Sequence, residues 1–298
     1  MKVVDAKDFA AISPFFKGKK GNRRAEFIMR LLSIDKVNSL HENYGSCPGP
    51  GFTSRLLDDV GVDYLVGNSD RLRDLPEGSF ITVSNHPYGG LDGIISIDLI
   101  ASIRPDYRFM VNEILSRVSA LKENFISVTP TGNHKKGITA TSIRGIRESL
   151  NHLHRGHPLG FFPSGAVSDF SLRDFRVSDR KWQESILRVI HSVKVPILPL
   201  RFFDRNSAFF YFLGLINWRI RLLKLPSEVF NKMCKQIRIG IGNIISVREQ
   251  KQFTSAKDLG IFLRRAVYDM PLPTTFVPRK KLTLCKLRKY DIAADKIL

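Results

Sequence analysis

The 298-residue chain, 43% apolar, is long enough for one large α/β domain with appendages and a substantial core. Its 47 Lys and Arg against 28 Asp and Glu leave a net charge of +19, which selects an acidic partner: nucleic acid, anionic lipid or an acidic protein. The three cysteines (Cys47, Cys234 and Cys285) are odd in number and far apart, which excludes a disulfide scaffold, offers no zinc spacing and points to a reducing cytosol.

The first residues do not read as a secretory signal, because Asp5, Lys7 and Asp8 interrupt any apolar stretch. Residues 1–50 form an N-terminal helical segment in this reading. Phe27, Ile28, Leu31 and Leu32 make one apolar stripe; Ile34, Val37, Leu40 and Tyr44 make another. Phe15 and Phe16 precede Lys17, Lys19, Lys20, Arg23 and Arg24, an aromatic-basic mixture suited to an anionic membrane surface. The breaker SCPGPGF at 46–52 marks the boundary to a main domain over 51–278.

From about residue 60, strands and helices alternate. Strands are expected at 81–85, 108–112, 125–129, 159–162 and 197–203. Helices are expected at 92–102 and from 113 through Leu121. A third carries Ile143, Ile146, Leu150 and Leu153 on one face, after a loop at 130–137. A fourth carries Trp182, Ile186, Val189, Ile190 and Val193. The pattern predicts an α/β fold with a mixed, largely parallel sheet covered by helices. Phe209 to Leu213 and QIRIGIGNII at 236–245 read as further strands. Ser255 and Asp258 resemble a capping box before Leu259, Phe262, Leu263 and Val267. Residues 279–298 form a basic tail. No window spans a bilayer; the nearest, 208–218, is too short and ends at Trp218, Arg219 and Arg221, a second aromatic-basic cluster.

One stretch organises the chain: ITVSNHPYGGLDG, 81–93. A β-rich run ends at Ser84 and Asn85, His86 and Pro87 follow, and Gly89-Gly90 leads to Asp92 at the start of an apolar helical run. The glycines let the backbone fold back so that Asp92 meets His86. A carboxylate on one imidazole nitrogen fixes the tautomer and leaves the other nitrogen free to take a proton. The plainer alternative makes Asp92 a helix cap and His86 a loop residue. The remaining histidines show no partner pattern and read as structural.

NHPYGGLDG, then FFPSGAVS at 161–168, then VPILPL at 195–200 together resemble the glycerolipid and lysophospholipid acyltransferase superfamily, particularly its hemolysin-like bacterial branch, which includes N-acyltransferases making lipoamino acids. The resemblance covers about residues 60–245. Common members place four residues between His and Asp; here five intervene. The region ENFISVTPTGN lacks the expected Arg, and the third block has Ser164 and Val167 where Glu and Arg are usual. Two phosphate-gripping cations are therefore missing, and the resemblance implies an acceptor without phosphate, such as glycine.

What the resemblance implies is acyl transfer from a thioester donor, an acyl carrier protein or CoA, with no cofactor or metal of its own. His86 is the general base and Asp92 orients it. Asn85, Gly89, Gly90, Pro163, Ser164, Gly165 and Ser168 are expected to bind substrate, with backbone N–H groups near Gly89-Gly90 or Ser164-Gly165 holding the oxyanion. The place implied is peripheral, on the cytoplasmic side of a bacterial membrane. Three alternatives stand beside it: a lysophospholipid O-acyltransferase, a hydrolase with Ser164 as nucleophile, and a non-catalytic membrane or nucleic-acid binder. PSGA is not a nucleophile elbow. No zinc finger, RNP-type aromatic motif or GXXG loop supports specific nucleic-acid binding.

Overall fold

The computed structural model describes residues 18–31, 34–44, 47–113, 115, 118–129 and 140–282. Eight short strands form one sheet: β1 (Asp63–Gly67), β2 (Ile81–Ser84), β3 (Arg108–Asn112), β4 (Phe125–Val128) and β5 (Leu159–Phe161), and, beyond the hairpin strands β6 (Asp169–Ser171) and β7 (Arg176–Ser178), β8 (Ile197–Phe202), β9 (Gln236–Ile241) and β10 (Phe276–Pro278). Their order is β10-β1-β9-β8-β2-β5-β3-β4. The β1–β10 and β8–β9 pairs are antiparallel and every other neighbouring pair in the sheet is parallel. The expected mixed, largely parallel sheet is therefore present.

The helices are α1 (Gly18–Leu31), α2 (Ile34–Tyr44), α3 (Pro50–Val60), α4 (Gly90–Ser96), α5 (Ala140–His154), α6 (Glu184–Val193), α7 (Ala208–Ile216), α8 (Trp218–Leu223), α9 (Leu225–Phe230), α10 (Val247–Gln250) and α11 (Ala256–Tyr268). None of the described helices is long and apolar enough to cross a membrane. Side-chain alternation along the strands divides the core between the two faces of the sheet. Ile81, Val83 and Ile197 pack with Leu187 and Ile190 of α6 and Leu263 of α11. Leu198, Leu200 and Phe202 point the other way, among Leu57 of α3, Val66 and Ile239.

Several elements differ from the sequence expectation. The 209–213 run is helical, not extended. Ser207 caps it by accepting the Phe210 N–H at 3.2 Å, and the run has no apolar-polar alternation to support a half-buried strand. The strands β1 and β10 and the β6–β7 hairpin are additional to those expected. The 92–102 helix starts two residues earlier, at Gly90, and continues as a π-helical turn, Ile97–Ala101. The stretch before Leu121 contains a short 3-10 turn, Ser119–Asn124. Trp182 precedes α6 rather than belonging to it. On α5, Leu153 is buried and Ile146 and Leu150 pack against the core as expected, but Ile143 is exposed, and the small residues Ser142, Gly145 and Ser149 share the buried face.

The proposed breaker ends inside a helix: Pro50 opens α3, whose Phe52 and Leu57 belong to the main core. Arg279 and Leu282, the start of the basic tail, are also buried in it. Phe15 and Phe16, the 130–137 loop, and 283–298 lie outside the described residues. β2 and β5 run side by side and parallel, pairing Ile81 with Leu159 and Val83 with Phe161. Their carboxyl ends therefore bring the His86 loop against the 162–168 loop, at the edge where sites form in such sheets.

Candidate active site

The loop after β2 turns because Gly89 takes φ 81°, a left-handed conformation that a side chain would strain. A β-carbon there would also lie 2.9 Å from Leu225 Cδ2 and 3.3 Å from Val167 Cγ2. This turn starts α4 and places Asp92 in its first turn. Asp92 is fully buried, and its Oδ2 accepts the N–H groups of Tyr88 at 2.8 Å and Gly89 at 3.0 Å. The same oxygen lies 2.9 Å from Nδ1 of His86, approached obliquely to the ring N–H direction. The cap and the imidazole contact are therefore both real and share one atom. Asp92 Oδ1 has no hydrogen-bond partner among the described residues.

Burial raises the Asp92 pKa from its ordinary value; His86 and the N–H groups of Tyr88 and Gly89 oppose the rise. His86 is stacked on Phe162, with centroids 3.9 Å apart and planes 19° apart, and Phe162 leans in turn on Phe109. The stack fixes the ring plane, and with Nδ1 held at Asp92 it leaves Nε2 on the far side. The ring lines an apolar cavity of about 420 Å³, walled by Ile94, Met110, Leu121, Phe125 and Ile146. No Lys or Arg lines it among the described residues.

The other expected site residues separate into two groups. Gly89, Gly90 and Gly165 line the cavity with His86. Asn85, Pro163, Ser164 and Ser168 do not. The Asn85 amide is consumed by the sheet: Nδ2 donates to Phe202 O and Oδ1 accepts from Phe202 N, both at 2.8 Å. Ser164 Oγ donates to Ala166 O at 2.8 Å and is buried, so it does not present a nucleophile to the cavity. Ser168 Oγ donates to Asp179 Oδ1 at 2.6 Å, and Ser168 N donates to His86 O at 2.8 Å. Of the expected oxyanion donors, Gly89 N–H is spent on Asp92 and Gly165 N–H on Phe162 O. Gly90 N–H opens α4, where no intrahelical acceptor exists.

Two residues absent from the sequence expectation complete the site. Asp179, buried, accepts the His86 N–H at 3.1 Å, the Ser168 hydroxyl, and Trp182 Nε1 at 3.2 Å. It thus fixes the backbone of both loops. Gln183 lines the cavity opposite Gly165; a β-carbon on Gly165, at φ 62°, would fall 2.0 Å from Gln183 Nε2. Trp182 and Gln183 directly after a β-hairpin are the only local signal, and nothing in the sequence pairs Asp179 with a position 93 residues earlier.

Residues 20–272 match the profile of a family described as Acyltransferase. A lyso-glycine lipid O-acyltransferase of Phocaeicola vulgatus is 26% identical over 268 residues, covering 84% of this chain and 91% of that protein. A protein of the same name from Bacteroides thetaiotaomicron is 26% identical over 212 residues, covering 65% of this chain and 74% of its own. Among solved structures, the 1-acyl-sn-glycerophosphate (LPA) acyltransferase PlsC from Thermotoga maritima matches with a TM-score of 0.48 and 16% identity, over 89% of this chain and 91% of that one.

Proposed function

The chain belongs to this acyltransferase family, and on that premise we propose that it transfers a fatty acyl chain from a thioester to the hydroxyl of a lipid carrying an amino-acid headgroup. The observation that carries the reading is the His86–Asp92 contact of 2.9 Å at the wall of an apolar cavity of about 420 Å³. The names of the two curated relatives favour a hydroxyl acceptor over the free amine of glycine. The described residues of the cavity wall include no Lys or Arg, which suits an acceptor whose reacting end has no phosphate.

In this mechanism His86 Nε2 takes the proton of the attacking hydroxyl as its oxygen bonds to the thioester carbon. The buried Asp92 carboxylate stabilises the imidazolium that forms. General-base help of this kind contributes on the order of 10²–10⁴ in rate. The carbonyl oxygen becomes an oxyanion, for which Gly90, which opens α4 and lines the cavity, offers a backbone N–H. Collapse breaks the C–S bond, and the departing thiolate recovers the proton from His86. The acyl chain lies along Ile94, Met110 and Phe125. The donor is a polyanionic thioester, an acylated carrier protein or acyl-CoA, and a surface of +19 attracts either.

The test offers purified protein each thioester with a lyso-glycine lipid, free glycine or lysophosphatidate, and reads products by mass spectrometry. The expected result is a diacylated glycine lipid, with His86→Ala slower by about 10²–10⁴. An N-acylglycine or phosphatidate as the sole product, or an active His86→Ala protein, would overturn the reading.

A further inference from the structure

An apolar face lies beside the site and has no part in the chemistry above. Fifteen large apolar side chains are exposed among the described residues, and ten of them fall between Leu172 and Leu223. Two come from the tip of the β6–β7 hairpin, Leu172 and Phe175, which are 61% and 79% exposed. The rest come from α7 and α8. α7, AFFYFLGLI, has no charged residue: Phe210 and Tyr211 are buried, while Phe209 and Phe212 are each 55% exposed. A helix of a water-bathed surface puts polar residues on that outer side. The hairpin and α7 share one support, a cluster of Val167, Phe170, Val177, Phe210, Tyr211 and Leu225, and α8 follows α7 after one residue, so their exposed residues lie on neighbouring elements. Apolar exposure this concentrated marks an interaction surface.

Charge identifies what covers it. Arg173, Arg176 and Arg205 are exposed around these elements against one exposed carboxylate, Asp174, and Lys224 Nζ lies 5.8 Å over the Phe209 ring. Within the face is a cavity of about 510 Å³ whose walls include Leu215, Ile216 and Trp218. Two guanidiniums, Arg180 and Arg221, line it against one carboxylate, Asp169, with which both pair. The polar lining is therefore net positive. Apolar side chains with a half-exposed tryptophan, ringed by cations, match the layering of an anionic bilayer: acyl chains inside, phosphates at the rim.

We propose that α7, α8 and the β6–β7 hairpin dock this protein on an anionic membrane, with the cavity between Arg180 and Arg221 receiving an anionic headgroup. The platform is tied directly to the site. Tyr211 Oη donates to Pro87 O at 3.3 Å, Leu225 packs at Gly89, and Arg221 Nη1 donates to Ser168 O at 3.1 Å. α9 follows α8 and supplies Leu225, Pro226, Val229 and Phe230 to the wall of the His86 cavity. Docking by this face therefore holds the His86 cavity close to the bilayer.

The full chain is mixed with phosphatidylcholine vesicles, with and without phosphatidylglycerol, in the absence of substrate. Binding is read by co-sedimentation and by tryptophan emission. Trp218 is 52% exposed and Trp182 buried, so the two tryptophans report differently. Expected are a blue shift and quenching by brominated lipid, both stronger with phosphatidylglycerol. Phe209→Ser with Phe212→Ser should weaken partitioning roughly tenfold or more. Arg180→Gln should lose the phosphatidylglycerol preference, and Ile143→Ser, exposed on α5, should change nothing. The quenching needs no variant, so it stands even where a substitution fails to fold. An unshifted, unquenched wild-type emission would overturn the proposal. So would a double variant that binds vesicles normally but changes from dimer to monomer, which would assign the face to a second copy of the chain. Neither readout depends on acyl transfer, so failure here and failure of the proposed reaction are separable.

Discussion

Asp92 uses a single oxygen for two purposes, and a substitution can separate them. Its Oδ2 caps α4 through Tyr88 and Gly89 and meets His86 Nδ1. Asp92→Asn keeps an acceptor oxygen for the cap but removes the charge that stabilises an imidazolium. Because burial already raises the Asp92 pKa, the ionised form costs the folded state free energy, and losing it is not a stability penalty in itself. The expected outcome is a thermal stability within about 1 kcal/mol of wild type and an acyl-transfer rate lower by about 10²–10⁴. Asp92→Ala should lose both, since two buried N–H groups are left unpaired. Thermal melts and single-turnover kinetics check this. The His86–Asp92 pair was legible because everything that makes it lies within seven consecutive residues. Asn85, Ser164 and Ser168 read as ligand-facing only because they sit in the same motifs. Polar residues at strand ends are as easily consumed by neighbouring backbone, and spacing does not distinguish the two. Asp179 is illegible because the contact that ties it to the site, with the His86 N–H, reaches 93 residues back along the chain.

Elements were legible where their periodicity is set by a buried face and illegible where that face is unusual. α5 shows the difference. Of its four large residues at helical spacing, Ile146, Leu150 and Leu153 pack on the core, yet Ile143 is exposed, and the small residues Ser142, Gly145 and Ser149 share the buried face. The reason is distance: a β-carbon on Gly145 would lie 2.5 Å from Val128 Cγ1 and 2.6 Å from Ser127 O. Backbone meets backbone here, and small residues are what close approach requires. The aromatic run of α7 favours a strand by composition, and the residue that makes it a helix, the cap Ser207, lies just before that run. The close approach gives a prediction in which two effects compete. Gly145→Ala gains about 1 kcal/mol of helix propensity but overpacks a rigid contact at about 1–3 kcal/mol. The overpacking should win, lowering stability by about 1 kcal/mol, with Gly145→Val worse. Ser142 and Ile146 of the same helix line the cavity, so the displaced helix should also alter acyl-chain preference. Urea titrations and competition between thioesters of different chain length check the two parts.

At the scale of the whole molecule, stability depends on buried charges that tie distant segments together. His152, at the end of α5, is buried, and its pKa is pushed down to about 4 by that burial and by the nearby Arg108 charge. An unfolded His152 binds a proton near pH 6.5. The unfolded state is therefore the more protonated between pH 6.5 and 4, so the contribution of His152 is present above pH 6.5 and is lost as pH falls through that window. His152→Gln should flatten this limb in chemical denaturation series. Arg279 gives the larger effect. Read from the sequence it belongs to a basic tail, but it is buried, donating to Asp58 and to Ser54 O of α3 and lying 3.9 Å from both Asp63 and Asp98. Asp98 is itself buried and accepts Tyr64 Oη at 2.6 Å and Thr53 Oγ1 at 3.3 Å. The last turn described thus joins α3, β1 and the π-helical turn behind α4. Asp58 is half exposed and contributes little; Asp98 decides the outcome, since removing one member of a buried pair costs about 3–5 kcal/mol. Arg279→Met should therefore lose about 3 kcal/mol, a large part of the ~5–15 kcal/mol a domain has. Adding Asp98→Asn removes the stranded charge and should restore about half of that loss. If the double variant is no more stable than Arg279→Met, packing of the guanidinium stem rather than its charge holds these segments, and the ion-pair account fails.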